Sequence, residues 1–481
     1  MHVTRDGGGS WTNVTPSDAP DFIRINTIEA SPTTPGKAYV AGIRYLVDDD
    51  RAPYVWRTED YGQSWTKIVD GIPEDDFVRA VREDPTRSGL LYAASQRTVY
   101  VSWDDGGRWQ SLGLNLPVVE VSDLVVEDHD LVIATHGRSF WVLRDIGPIR
   151  QINDRVASRP TYLFTPRDPV RSVDPGVTVY YTLAEDADSV TIEFLDESGA
   201  VVRSFAAAAT EEENDDGDED ADRDSDLEPD ANSGPHEEEQ EAEAQPQGPP
   251  GSSGPTPSVT PGLNRFVWNL RYEGATDFEG RIFWAAGNSG PVAAPDEYRV
   301  RLTVDGQTQT QAFRVRIDPR LDGQVTPGAL RERFELALQI RDRLSEANEA
   351  VIRIRDIETQ IDDRMESSED VELGSLGVDV KSSLGTIEEA IYQVRNRSSQ
   401  DPLNFPIKLN NKLGSLLSIV ESAEARPTLQ AYEVFEMLSG QLDSELERLA
   451  VIIERDLGSL NELLPILGLE QIDVDPEDQG G

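Results

Sequence analysis

The sequence predicts a multidomain protein with incomplete all-β propeller blades, then an immunoglobulin-like β-sandwich, and then an α-helical bundle. Three observations predict this order. A tryptophan-containing motif recurs in the first part, short strands at regular spacing fill the second, and apolar residues take helical spacing in the third. The predicted boundaries are 1–150 for the blades, 160–318 for the sandwich, 326–465 for the bundle and 466–481 for a flexible tail.

The recurring motif has the pattern T/S-x-D-x-G-x-x-W. It occurs at Thr4–Trp11, Thr58–Trp65 and Ser102–Trp109, so that successive copies are 54 and 44 residues apart. Such a period is expected of propeller blades. The segment Leu124–Ile146 has another pair of strands but no copy of the motif after it, and we therefore expect it to form the last blade.

Four positions of the motif have a mechanical role. The aspartate accepts hydrogen bonds from backbone N–H groups of the turn that it begins, and the glycine supplies a positive φ angle. The tryptophan is expected to fold back over its hairpin as an apolar lid. A structural role is favoured because copies of a motif repeated around the periphery cannot meet at one substrate. The turn could bind calcium, but it offers fewer oxygen ligands than a calcium site needs. The residues at these positions are Thr4, Asp6, Gly8, Trp11, Thr58, Asp60, Gly62, Trp65, Ser102, Asp104, Gly106 and Trp109.

The second part contains at least six short strands, which predict a small β-sandwich. Its last hairpin is expected to turn at Asp305–Gly306. A low-complexity tract at 207–258, acidic first and then rich in Pro, Gly and Ser, interrupts the strands. Such a composition predicts a disordered loop.

The third part has two long helical patterns with two shorter helices between them, which predict a three- or four-helix bundle. Thr326–Pro327 is a helix start, as is Pro427–Thr428. The buried positions predicted for the first long helix are Ala337, Ile340, Leu344, Ala347, Val351, Ile354 and Ile361. Those predicted for the second are Phe435, Leu438, Leu442, Leu446, Leu449 and Ile453.

The motif resembles the Asp-box, or BNR repeat, of sialidase-type and sortilin (VPS10)-like propellers. The whole chain is similar to BNR-repeat "glycosyl hydrolase" proteins that have a sortilin-like propeller. The matching stretches are THGRSFWVL (Thr135–Leu143), GLNRFVWNLRY (Gly262–Tyr272), DPLNFPIKLNNKL (Asp401–Leu413) and ARPTLQAYEVFEML (Ala425–Leu438). The resemblance implies that this chain corresponds to the C-terminal part of such a protein. Because a ring of blades protects its sheet edges by closing, we expect 1–150 to dock on a separately encoded propeller half, to self-associate, or to be unstable alone.

Charge is the dominant feature of the composition. Ninety acidic residues against 44 basic ones give a net charge of −46, and only five of the basic residues are lysines. Acidic residues spread over every part of the chain are expected in a protein adapted to molar salt, where screening reduces their repulsion. An acidic surface would repel the phosphates of nucleic acid, so we do not expect nucleic acid as a partner.

The location of the protein follows only in part from its sequence. Cysteine is absent, and no apolar run is long enough to span a membrane. The N-terminus has no basic and apolar regions of a signal peptide, which predicts a cytoplasmic chain as written. The family resemblance implies instead an extracytoplasmic location for a full-length protein.

The sequence shows no catalytic constellation and predicts no cofactor or metal site. It lacks the HExxH and GxSxG patterns, and three blades cannot surround the axial pocket of a sialidase. His136 and Arg138 are the best-placed polar residues, on a predicted two-residue hairpin tip with Gly137, where either a simple turn or a binding role is open. We favour a non-catalytic binding or scaffold protein for a peptide or glycan. The alternative is part of a glycoside hydrolase whose active site lies mostly on other blades.

Overall fold

The structure is a computed structural model that describes residues 1–208 and 255–474. It divides into two units, Met1–Arg167 and Asp168–Gly481. The protein is multidomain, with several small antiparallel sheets followed by a C-terminal helical region. Most of the predicted disordered loop and the end of the predicted flexible tail lie outside the described residues.

The first unit contains four antiparallel sheets that follow one another along the chain. The first has two strands, β1 (His2–Val3) and β2 (Thr12–Asn13). The next has four, β3 (Arg24–Ala30), β4 (Ala38–Arg44), β5 (Asp50–Thr58) and β6 (Thr66–Lys67). Another four follow, β7 (Val78–Glu83), β8 (Leu91–Ser95), β9 (Val99–Ser102) and β10 (Gln110–Ser111). The last sheet has three, β11 (Val121–Val126), β12 (Leu131–Thr135) and β13 (Phe140–Leu143).

Short elements complete the first unit. They are α1 (Gly147–Gln151), α2 (Asp154–Ala157) and β14 (Thr161–Leu163).

Two apolar cores lie between consecutive sheets of the first unit, and strand β8 contributes to both. Its side chains alternate between faces, as in any strand. Leu91 and Ala93 join the core with sheet β3–β6, whereas Tyr92 and Ala94 join the core with sheet β11–β13. Every residue of β8 is buried for this reason. A continuous apolar run therefore indicates a strand covered on both faces.

The strands of the second unit form two groups. β15 (Val177–Leu183) and β18 (Gly262–Trp268) form an antiparallel pair. The other group is a four-stranded sheet in the order β17–β16–β19–β20, made of β16 (Ser189–Leu195), β17 (Val201–Ala208), β19 (Glu297–Val304) and β20 (Gln307–Arg314). Phe194 of β16 stacks on Trp268 of β18 with ring centroids 4.4 Å apart. The predicted Asp305–Gly306 turn is confirmed, with positive φ at both residues.

The helical region begins with α3 (Pro327–Glu366), which is 40 residues long. It continues with α4 (Val371–Ile391), α5 (Leu409–Glu421), α6 (Leu429–Val451), a π-helical segment (Ile452–Leu457) and α7 (Gly458–Leu463). Both predicted helix starts are confirmed, because the hydroxyls of Thr326 and Thr428 accept N–H bonds as N-caps. All seven predicted core positions of the first long helix are buried.

The helices share their core with the loop 275–284, so that strands and helices of the second unit are packed together. Ala275 belongs to the helical core. The Tyr392 hydroxyl accepts a bond from the Ile282 N–H at 3.0 Å, and the Asn411 amide oxygen accepts one from the Trp284 N–H at 2.7 Å. The side chains of the helices therefore satisfy the backbone of the loop.

Candidate functional site

The recurring motif forms the tight turn that the sequence predicts. In the second copy, Asp60 accepts bonds from the Ser64 N–H at 2.9 Å and the Ser64 hydroxyl at 2.6 Å. The Thr58 hydroxyl donates to the same carboxylate at 2.9 Å. Gly62 has a φ of 84°. These hydrogen bonds hold the pKa of Asp60 at about 2, and an equivalent set does the same for Asp6.

The third copy shares this turn with one change. Asp104 accepts bonds from the Arg108 N–H at 2.9 Å and the Ser102 hydroxyl at 2.7 Å. Arginine stands where the other two copies have a serine, whose hydroxyl donates to the aspartate. Gly106 again has a φ of 84°. The backbone of the turn therefore depends on the aspartate and glycine positions.

The second and third motifs contact the preceding sheet, and not only their own hairpin. The Trp65 indole N–H donates to the Val14 carbonyl at 2.7 Å, and the Trp109 indole N–H donates to the Ile68 carbonyl at 3.0 Å. A Cβ atom added at Gly62 would lie 2.7 Å from Cβ of Val14. We call this contact a junction. Its acceptor is the aliphatic residue three positions after the tryptophan of the preceding motif.

The expectation that each tryptophan is a lid on its own hairpin is therefore wrong. It is most clearly wrong for Trp11, which is 61% exposed. Trp109, in contrast, is 2% exposed because it lies in the core between sheets β3–β6 and β7–β10. A Cβ atom added at Gly8 would meet no other atom within 4 Å among the described residues. The first motif forms its turn but no junction within this part of the chain.

The turn that follows sheet β11–β13 shares one backbone hydrogen bond with the motif but not its geometry. The Ile146 N–H donates to the His129 carbonyl at 2.8 Å, in the same way that the Tyr61 N–H donates to the Gly36 carbonyl at 2.9 Å. The backbone differs, however, because Asp145 has a φ of 57° and Ile146 one of −78°, whereas the motif has its positive φ angles at Tyr61 and Gly62. Burial raises the pKa of Asp145.

The hairpin tip between β12 and β13 has four residues, 136–139, where the sequence predicted two. Gly137 and Ser139 both have positive φ angles, of 84° and 61°. The Thr135 hydroxyl donates to the Ser139 carbonyl at 2.6 Å and accepts from the Arg138 N–H at 3.1 Å. The tip is therefore locked by its first residue. The side chains of His136 and Arg138 are exposed.

The tip adjoins a charged and aromatic group from neighbouring sheets. The His136 N–H donates to the Glu120 carbonyl at 2.8 Å, and the Glu120 carboxylate forms an ion pair with Arg79. The Arg79 guanidinium lies 5.6 Å from the ring centroid of Tyr45 and also covers Phe77. We call Tyr45, Arg79, Glu120, His136 and Arg138 the loop-end surface. Sequence patterns did not predict it because its members come from four separate segments.

A second arginine of β7 links the first strands of three sheets. Arg82 lies 3.3 Å from Glu29 of β3 and 2.8 Å from Asp123 of β11. It also donates to the Leu124 carbonyl at 3.1 Å. Burial raises the pKa of Glu29 in spite of the opposing charge of Arg82. The carboxylates and guanidinium form one connected set between the sheets.

In residues 1–208 and 255–474, no group of three or more acidic or histidine side chains is arranged to hold a metal ion. In the same residues, every helix is too short or too polar to cross a membrane.

Comparison with known proteins gives weak structural likenesses. No family model matches the chain. No curated protein matches it either. It is similar to the crystal structure of an ancestral GH74 enzyme, with 15% identity, 43% of this chain and 30% of that chain covered, and a TM-score of 0.21. It is also similar to the extracellular domain of a putative one-component system from B. thetaiotaomicron, with 10% identity, 44% and 27% covered, and a TM-score of 0.23.

A third likeness is to the extracellular domain of a putative hybrid two-component system from B. thetaiotaomicron. The identity is 8%, 59% of this chain and 30% of that chain are covered, and the TM-score is 0.19. The chain spans less than a third of the length of each of these three structures. Likenesses of this size do not decide between a catalytic and a binding role, which depends on the geometry of the chain itself.

Proposed function

We propose that the protein is a non-catalytic binding and scaffold protein, whose loop-end surface takes a peptide or glycan with an acidic group. The observation that carries the proposal is the fixed position of this surface. Glu120 holds Arg79 through an ion pair and holds the hairpin tip through its carbonyl. A surface that is already ordered loses little conformational entropy when a ligand binds.

The chemistry of the surface suits such a ligand. Arg138 and His136 are exposed at the tip, and guanidinium groups bind carboxylates through paired N–H donors. Phe140, which begins β13 beside the tip and is 74% exposed, supplies apolar area.

We further propose that the sheets of the first unit are successive Asp-box propeller blades and that the strands of the second form an immunoglobulin-like sandwich. The two equivalent junctions support the first assignment, since each motif places its sheet on the one before. The stacking of Phe194 on Trp268 between the two strand groups supports the second.

The test is binding of the full chain, in molar salt, to a random-peptide display library and to a glycan array. We expect the affinity of the selected ligands to fall about tenfold or more in the double variant His136→Ala/Arg138→Ala. Loss of one guanidinium contact at a binding hot spot typically weakens binding by about this factor. Arg320→Ala, an exposed arginine of the second unit, is the matched control. Ligands that bind the double variant as tightly as the wild type would contradict the proposal.

A second candidate, part of a glycoside hydrolase site, is favoured by one observation. The raised pKa of Glu29 is the property of a general acid, and Asp123 supplies a second carboxylate on the same arginine. The test is hydrolysis of aryl glycosides by the full chain and by Glu29→Gln. Hydrolysis that Glu29→Gln abolishes would favour this candidate, and hydrolysis equal to a buffer blank would exclude it for these substrates.

A further inference from the structure

Two sheets of the first unit end in a short fourth strand. In sheet β3–β6 the last strand, β6, pairs with β5, and in sheet β7–β10 the last strand, β10, pairs with β9. Each fourth strand is followed by an aliphatic residue that adds one bond. The Ile68 N–H donates to the Val55 carbonyl at 2.9 Å, and the Leu112 N–H donates to the Val99 carbonyl at 2.8 Å. The outer edge of the third strand is therefore covered in both sheets.

Sheet β11–β13 ends at its third strand, and the outer edge of β13 is open. The Thr135 N–H donates to the Ser139 carbonyl at 3.2 Å, and hydrogen-bonded pairs alternate along an antiparallel ladder. Trp141 therefore bonds to β12, whereas the N–H and C=O groups of Phe140 and Val142 point to the outer edge. In the part of the chain that the structure describes, these groups form no hydrogen bond.

Strand β13 has no protection against pairing with another chain. Edge strands are usually protected by charged side chains, by proline or by a covering element, and none of the four residues of β13 is charged or proline. The side chains of Phe140 and Val142 share one face, and both are exposed. At the equivalent positions of β9, Val99 and Val101 are buried because the next sheet covers them. A strand added to β13 would therefore satisfy backbone groups and also cover apolar side chains.

Two arginines flank the open edge. Arg138 lies in the hairpin tip before β13, and Arg144 follows the strand. Both side chains are exposed. Neither forms an ion pair within the described ranges of the chain. Because guanidinium groups bind carboxylates through paired N–H donors, the edge suits a peptide with acidic side chains near its two ends.

The existing fourth strands define the register of such a peptide. Both run antiparallel to the third strand of their sheet. An aliphatic residue of the peptide would pair with Phe140, as Ile68 does with Val55. A carboxylate two positions later would then stand opposite Arg138, and one four positions earlier would stand opposite Arg144.

We propose that strand β13 binds an extended acidic peptide, which adds to sheet β11–β13 as its fourth strand. Addition of a strand to an open edge gives affinity through main-chain hydrogen bonds and specificity through alternate side chains. The inference rests on the proposed function and deepens it, because it names a peptide as the ligand and gives its conformation and register.

The peptide backbone supplies the first test. The probe is the blocked peptide EWTSIVD, labelled for fluorescence anisotropy and titrated with the full chain in molar salt. N-methylation of its isoleucine amide, which faces β13 in the proposed register, should weaken binding about tenfold or more. N-methylation of the serine amide is the matched control, because that group faces away from β13, and it should change binding less than about threefold. Absence of binding, or equal effects of the two methylations, would overturn the proposal.

Substitution in the strand gives a test from the side of the protein. Val142→Pro removes an N–H group of the open edge, and proline is tolerated where the N–H of an edge strand faces outward. We expect the probe to bind about tenfold more weakly to Val142→Pro, whereas Val142→Ala, which keeps the N–H, should stay within about threefold of the wild type. Equal affinities for the two variants would overturn the proposal. Thermal unfolding checks that both variants are folded, and the methylated peptides, which use the natural chain, decide if Val142→Pro is not.

The same variants separate this proposal from the proposed function. Ligands that are weakened by His136→Ala/Arg138→Ala but bind Val142→Pro as tightly as the wild type would support the loop-end surface and overturn strand addition. A probe weakened by Val142→Pro and by isoleucine methylation, but not by the double variant, would support strand addition and contradict the role of the loop-end surface. Sedimentation of the chain alone tests whether a second copy occupies the edge instead. A dimer that Val142→Pro dissociates would overturn the proposal, because β13 would then pair with another β13.

Discussion

The guanidinium of Arg171, which is 2% exposed, lies 3.1 Å from the carboxylate of Glu424. Arg171 precedes β15, and Glu424 lies between α5 and α6. Arg333 of α3 approaches the same carboxylate at 3.4 Å, and the Ser172 hydroxyl donates to it at 2.8 Å. One carboxylate thus holds three segments of the second unit together.

Glu424→Gln should destabilise the second unit by about 3–5 kcal/mol, because it leaves two buried guanidinium groups without a counter-charge. Chemical denaturation of the full chain measures this loss. Glu297→Gln is the control, since the Glu297–Arg314 pair is exposed and its loss is expected to cost less than about 1 kcal/mol. Similar losses of stability in the two variants would contradict the prediction, because they would show that burial does not determine how strongly the Glu424 contacts stabilise the unit.

Trp109→Ala should lower the stability of the first unit by about 3–5 kcal/mol, as is typical when a large buried aromatic side chain is removed. Trp109 fills the core beside sheet β3–β6 and donates to Ile68. Trp11→Ala, at the same position of an exposed motif, should change the stability of the isolated chain by no more than about 0.5 kcal/mol. Thermal unfolding at low protein concentration compares the two, and a large effect of Trp11→Ala would contradict the structure.

The Asp60 carboxyl should titrate with a pKa of about 2, below its ordinary value of 3.8. Hydrogen bonds to the charged form cause the shift, so they stabilise the turn at every pH above 3.8, and this contribution is lost as the pH falls through about 2. Carboxyl titration by NMR measures the pKa. In Ser64→Ala the pKa should move back towards 3.8, and an unchanged pKa would rule out the hydroxyl as the main cause.

Asn348 and Asn410 form a buried amide pair within the helical core. The Asn410 amide N–H donates to the Asn348 side-chain oxygen at 3.1 Å, and the Asn348 amide N–H donates to the Thr276 carbonyl at 2.7 Å. Asn348→Leu should cost about 1–3 kcal/mol, because it leaves buried polar groups unpaired. The double variant Asn348→Leu/Asn410→Leu should cost less than the sum of the single ones, and denaturation of all three gives the coupling. Additive losses would contradict the pairing.

The free energy of unfolding should rise as salt increases from low to molar concentration. A net charge of −46 repels itself most strongly in the compact state, and screening reduces that repulsion. Denaturation at several concentrations of potassium chloride measures the trend. A stability that falls with salt would contradict the predicted adaptation, because exposed ion pairs would then dominate over the repulsion.

Local patterns predicted much of the secondary structure. The helix starts at Thr326 and Thr428 and the Asp305–Gly306 turn follow from side chains and φ preferences within a few residues, and all three are confirmed. The aspartate and glycine roles in the motif are likewise local. Such features depend on covalent geometry and short hydrogen bonds, which the sequence states directly.

Relationships between sheets could not be predicted in the same way. The acceptors of Trp65 and Trp109 are 51 and 41 residues away, and nothing in Val14 or Ile68 marks them as partners. The loop-end surface depends on Arg79 meeting Glu120, two charged residues in a chain with many of both.

The offset of the junctions has a consequence for how such a gene can change length. The segment 15–68 contains Trp65, which donates to Val14, and ends with Ile68, which accepts from Trp109. Because each such segment begins after one acceptor residue and ends with the next, segments can be joined at these points. Deleting residues 15–68 would join Val14 to Val69 and place Trp109 against Val14 in the position that Ile68 now holds. Recombination at these points removes or duplicates a whole repeat without requiring a new interface to evolve.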